Sequence, residues 1–209
     1  DYVNALKYDL TRNCNDTNEL FYRVWVRPRI NKNTKAKETT ITALCATTSE
    51  FEKIMNTKYE SFLKNCNFTV ELEMNTIDTY LVKCYCSGNL IYTYNYLYYN
   101  EWVKIDVRSK IGDSQTGIFQ LRINDKLITT YTGNVGTVNP KYMYIGKPAS
   151  NSYNFTELEI DDIAVNDIKG NINNNWCGNG SIVGIIPTAN GSKSMFTPME
   201  GTQNFENID

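Results

Sequence analysis

From residue 67 to residue 165 strand-like segments follow one another with no helix between them, and this succession limits the fold more than any other feature. Segments 68–74, 77–86, 90–99, 102–108, 117–124, 127–131, 142–146 and 155–165 each carry apolar or aromatic residues between turn formers. Parallel neighbours would need crossover helices, for which the gaps are too short. Antiparallel sheets packed face to face are therefore predicted. Two more strands precede them: 21–27, with Tyr22, Val24 and Val26 on one face, and 38–46. Asn124-Asp125 reads as a tight hairpin although no glycine follows.

Only one stretch has a helical period. Phe51, Ile54, Met55, Tyr59, Phe62 and Leu63 recur at three and four behind Ser49 as N-cap, predicting one helix near 49–64. Beyond Asp167 the chain turns rich in Gly and Asn, with a single apolar run at 182–186. That run reads as a last edge strand, and the remainder as an arm. The chain opens on Asp1, not Met, which reads as a piece of something longer.

Composition removes whole classes of chemistry. Histidine is absent, which excludes Ser-His-Asp and Cys-His catalysis and His-liganded zinc. With 21 basic against 23 acidic residues, the chain lacks the basic excess that phosphate neutralisation requires. No run of 18 apolar residues offers a membrane-spanning helix. The cysteines (14, 45, 66, 84, 86 and 177) lack a CxxC spacing and read as buried, reduced thiols, with Cys84 and Cys86 on one face of one strand. Asn-x-Ser/Thr sequons begin at Asn15, Asn67, Asn154, Asn179 and Asn190, as many as so asparagine-rich a chain gives by chance.

A family resemblance enters at EWVKIDVRSKIGDSQTGIFQLRINDKLITTYTG, residues 101–133. Trp102 opening an alternating strand, Gly117 initiating the next and a tight turn at Asn124-Asp125 resemble the central hairpins of concanavalin A-like, laminin G-like jelly rolls. The family usually has Asp-Gly at that turn. Tyr142 to Gly146 fits a strand ending in glycine. The segment ELEIDDIAVNDIKGNINNNWCGNGSIVGIIPTANG is similar to such modules in tailed-phage virion proteins. The likeness is close over 101–187 and rests on strand pattern alone before it.

The resemblance implies an all-β antiparallel sandwich over 1–169, with the helix inserted, and a C-terminal arm over 170–209 packing on the sandwich or a neighbouring subunit. It implies a non-enzymatic virion structural or decoration protein of head, neck or tail, assembled in the host cytoplasm. Its partners would be other virion proteins and its own copies, with glycan adhesion as a second task and neither nucleic acid nor membrane as partner. A carbohydrate-binding lectin module is the alternative, and a laminarinase-type glycosidase the second alternative. No cofactor is expected apart from calcium.

Candidate residues follow. Alternation places Tyr92, Tyr94, Tyr96 and Tyr98 on one strand face, either as core or as a platform for sugar or protein. Trp176, between turn formers, plugs a sandwich edge or meets a neighbouring subunit. Glu157, Glu159 and Asp162 have the spacing of the laminarinase motif with Glu and Asp exchanged. Asp161 and Asp162 are either structural or weak calcium ligands. Trp102 is expected in the core.

Overall fold

The strands are β1 (Asn4–Asp9), β2 (Glu19–Arg29), β3 (Thr40–Thr47), β4 (Cys66–Met74), β5 (Thr79–Cys86), β6 (Asn89–Tyr98), β7 (Val103–Lys110), β8 (Ile118–Ile123), β9 (Lys126–Thr132), β10 (Tyr142–Lys147) and β11 (Glu157–Asp167). The computed structural model describes residues 4–12, 17–29, 40–48, 63–75, 79–147, 157–169 and 174–178. The chain divides into two compact units, Asp1–Gly178 and Asn179–Asp209. All of the second unit lies outside the described residues, and with it the expected strand at 182–186 and the arm beyond. Of the expected helix only Leu63 and Lys64 are described; with Asn65 they are helical.

Two antiparallel sheets form the sandwich. The six-stranded sheet has the order β1-β10-β3-β4-β5-β6 and the five-stranded sheet β11-β2-β7-β8-β9. Period-two alternation decides what lies between them. On β5 the inward phase is Tyr80, Val82, Cys84 and Cys86, all buried. Across β4, Val70 faces Cys84 and Leu72 faces Val82. Tyr22, Val24 and Val26 of β2 and Val103, Ile105 and Val107 of β7 supply the opposite wall. Phe68 joins the layers: its ring lies 5.1 Å from Tyr22 and 5.7 Å from Phe119, both on the other sheet.

The described cysteines, Cys45, Cys66, Cys84, Cys86 and Cys177, are free thiols, and Cys84 and Cys86 share one face of β5 as the alternation requires. The Asn67 sequon is unusable in the folded chain. Asn67 is buried, and its amide donates to the carbonyls of Val135 (3.1 Å) and Val138 (3.0 Å).

The β8–β9 turn forms without glycine. Asn124 (φ 49°) and Asp125 (φ 68°) both take the left-handed conformation, which Asn and Asp tolerate better than other side chains. Asn124 Oδ1 accepts from the Lys104 amide at 2.9 Å, and Asp125 takes the Lys104 ammonium at 2.5 Å. These side-chain contacts anchor the turn to β7.

Two expectations about position are corrected. Trp102 is not core: it precedes β7, is 37% exposed, and has the Arg27 guanidinium 4.9 Å from its ring centre. The buried phase of β7 begins one residue later, at Val103. Trp102→Ala is therefore expected to cost about 1 kcal/mol or less, the scale of an exposed cation–π contact; a urea titration giving 3 kcal/mol or more would restore the core assignment. The second correction is β1, for which no strand was predicted. Leu6 and Tyr8 are both exposed on this edge strand, so no inward apolar phase marks it.

Candidate functional site

The outward phase of β4 reads Thr69, Glu71 and Glu73, and that of β5 reads Lys83 and Tyr85. Register sets Lys83 opposite Glu71 and Tyr85 opposite Thr69, while Thr42 of β3 flanks Glu71 on its other side. Glu71 is 1% exposed. Its carboxylate accepts the Tyr85 hydroxyl, and its Oε1 has no hydrogen-bond partner among the described residues. Beside it the Lys83 ammonium pairs with Glu73, and both of these side chains reach solvent. Tyr85 is half-buried. The cluster thus has a dry floor, Glu71, under a partly wet rim of Glu73, Lys83 and Tyr85.

Burial governs its electrostatics. Removal from water disfavours the charged form, so the Glu71 carboxyl is pushed up to about 7; nearby Glu73 adds to the rise, while Lys83 and the Tyr85 hydrogen bond oppose it. Tyr85 is pushed up to about 12 by burial, then by Glu71 and Glu73. A buried acid poised near neutrality beside an ion-paired carboxylate can exchange a proton with a bound molecule.

The residues singled out from sequence lie elsewhere. Tyr92 and Tyr94 lie opposite Cys84 and Val82 and pack partly buried against the core. A bulge then sets Leu97 opposite Tyr80, so Leu97 and Tyr99 turn inward and Tyr98 turns out, 54% exposed. Tyr92, Tyr94 and Tyr98 therefore do not share a face, and the Tyr96 side chain lies outside the described residues. Trp176 packs on the outer face of the five-stranded sheet, 5.5 Å from the Phe21 ring and 3.9 Å from the Arg122 guanidinium. Arg23 holds the same segment, donating to the carbonyls of Cys177 and Gly178.

Glu159 and Asp162 stand on the edge strand β11, and each is ion-paired: Glu159 with Arg27 and Arg29, Asp162 with Arg23 at 2.7 Å. A bulge between Asp161 and Ala164 breaks the alternation that the laminarinase spacing needs. The Glu157 side chain is outside the described residues. Asp161 Oδ1 accepts the Asp162 amide at 2.8 Å. A cation at Asp162 would face the Arg23 guanidinium, and among the described residues no group of three or more Cys, Asp or Glu side chains could hold a metal ion.

Glu71, Glu73, Lys83 and Tyr85 were not singled out from sequence. The signal existed in VELE (70–73) and KCYC (83–86), two consecutive strands whose polar phases carry opposite charges.

No protein-family model and no curated protein matches the sequence. Solved structures do share the fold. An alginate lyase in complex with an alginate trisaccharide is 12% identical, with 73% of this chain and 72% of that one covered and a TM-score of 0.50. A potassium-bound carbohydrate recognition domain is 9% identical, covering 71% of each chain, TM-score 0.47. A homodimeric agglutinin from chicken liver is 8% identical, covering 77% of this chain and 98% of that one, TM-score 0.40. The chain thus has an all-β, antiparallel jelly-roll sandwich, the fold of that alginate lyase. The non-enzymatic expectation is corrected here. An alginate lyase stands on this same architecture, so the fold itself carries enzymes.

Proposed function

We propose that the chain is a carbohydrate-binding jelly roll that holds a glycan against the outer face of β4 and β5, with Glu71 at the centre of the contact. The observation that carries this is the buried Glu71 carboxyl with one oxygen unpartnered. Leaving a buried acceptor unpaired is costly, and a sugar hydroxyl is a donor of the right size to satisfy it. Tyr85 and the Lys83–Glu73 pair supply further polar contacts at the rim. Tyr98, exposed on β6, is the ladder residue available to lengthen the site.

Glycan arrays spanning neutral and uronate-containing chains, followed by calorimetry on the best ligand, test the reading. Tyr85→Phe and Glu71→Leu are each expected to weaken binding about tenfold or more, the scale of a hydrogen bond to a charged group. Unchanged affinity in both, or a loss caused only by Tyr94→Ala, would move the site off this face.

A catalytic reading of the same cluster rests on the Glu71–Glu73 pair. Two residues apart on one strand face, about 6.6 Å by rise, they form a carboxylate pair of the kind that enzymes cleaving glycosidic bonds use. Glu71, protonated at neutral pH about half the time, would be the proton donor. Incubation with alginate and β-glucans, read by unsaturated-uronate absorbance and by reducing ends, separates lyase from hydrolase; activity must fall in Glu71→Gln.

A place on a tailed-phage particle, among other virion proteins and further copies of the chain, is a proposal supported by the resemblance of residues 101–187. Mass spectrometry of purified particles tests it.

A further inference from the structure

The structure assigns Cys45 and Cys66 as the two halves of a disulfide that closes when the chain folds in an oxidising environment. They stand on the neighbouring strands β3 and β4, with Cys45 opposite Thr69 and Thr47 opposite Cys66. A register shift at Ala46/Thr47 sets an extra β4 residue, Asn67, between these pairs. Both are reduced and almost fully buried, and they share one small apolar cluster with Leu63 and Tyr144. Within it the two thiols meet in a hydrogen bond.

The other described cysteines offer no such partner. Cys84 and Cys86 lie two apart on one strand and face the interior of the sandwich. Cys177 lies on the other sheet, where its thiol donates to the Phe21 carbonyl at 3.4 Å.

The step balances as thiol–disulfide exchange with a low-molecular-weight disulfide. One cysteine thiolate attacks a reagent sulfur, breaks the reagent S–S bond and releases one thiol. The second cysteine thiolate attacks the mixed disulfide, forms the Cys45–Cys66 bond and releases the second thiol. The protein loses two protons and two electrons, and the reagent is reduced to two thiols.

Burial makes the Cys45 thiolate scarce in the finished fold, with Cys66 adding to the effect. Exchange is therefore fast while β3 and β4 are closing and slow afterwards. The bond closes a loop of about 20 residues and restrains the unfolded chain accordingly. It stands beside Glu71 but does not depend on the glycan reading.

The test refolds the full chain from denaturant in oxidised and reduced glutathione, alkylates the remaining thiols and digests with trypsin. Lys53, Lys58 and Lys64 separate the two cysteines into different peptides. The expected result is one linked pair containing Cys45 and Cys66, alkylated Cys84 and Cys86, and a Tm about 5–10 °C higher than that of the reduced chain. Cys45→Ser and Cys66→Ala should each abolish the link and the Tm difference, while Cys84→Ala keeps both. Glutathione adducts on Cys45 or Cys66, a link to another cysteine, or full alkylation of both would overturn the assignment.

Discussion

Glu71→Gln is expected to stabilise the protein at pH 8 by about 3 kcal/mol and to leave it unchanged at pH 4. In the folded chain the Glu71 carboxyl is pushed up from 4.5 to about 7, chiefly because burial strips water from the charged form. Between those values the folded state holds a proton that the unfolded state has released. Stability therefore falls as pH rises through this window, by about 1.4 kcal/mol per pH unit, and levels off above 7. Below the unfolded value both states are protonated and the penalty vanishes. Glutamine is neutral throughout and retains an acceptor for the Tyr85 hydroxyl, and Glu73 still pairs with Lys83. Urea titrations at pH 4, 6 and 8 should show wild-type and mutant curves that meet at low pH and part at high pH. Parallel curves would mean that Glu71 is solvated in the folded protein, and the dry floor of the candidate site would go with it. The same experiment bears on function, since a carboxyl kept at a cost to stability is what a binding or proton-transfer site carries.

The larger effect belongs to the core. Phe68→Ala is expected to cost about 3–5 kcal/mol, with the denaturant m-value unchanged. Phe68 is 0% exposed and is the ring through which β4 meets Tyr22 of β2 and Phe119 of β8. Truncation removes its apolar contacts and two edge or tilted aromatic pairs at once, and a cavity between two rigid sheets collapses little. A loss below about 1 kcal/mol would mean that the sheets do not pack through this residue. Paired with Trp102→Ala, the experiment separates an aromatic between the layers from one on the outside. The two look alike in composition and differ only in strand phase.

That phase was legible. On β7 the residues Val103, Ile105 and Val107 alternate with Lys104, Asp106 and Arg108, and Trp102 belongs to the charged set. Alternation and turn residues likewise marked ten of the eleven described strands, including the glycine-free turn at Asn124-Asp125. They did so because side-chain direction in a strand is a local property with a period of two. β1 escaped because an exposed edge strand needs no buried phase.

The candidate site was legible only in its ingredients. VELE and KCYC show two polar phases of opposite charge, but the dryness of Glu71 comes from its place on an inner strand, between Thr42 of β3 and Lys83 of β5. Asp162 and Glu159, which suggested chemistry by spacing, lie on an edge strand where arginines from β2 pair with them. The tyrosine ladder shows the limit most plainly. Its alternation is perfect in sequence, yet one bulge against β5 separates Tyr98 from Tyr92 and Tyr94. The sequence by itself determined which residues form strands and which phase of each is apolar, because sterics and alternation act between near neighbours. Only the tertiary structure decided strand order, bulges, and which charges lose their water. These depend on residues far apart in the chain, and desolvation, the force that sets Glu71 apart, exists only once the layers have closed.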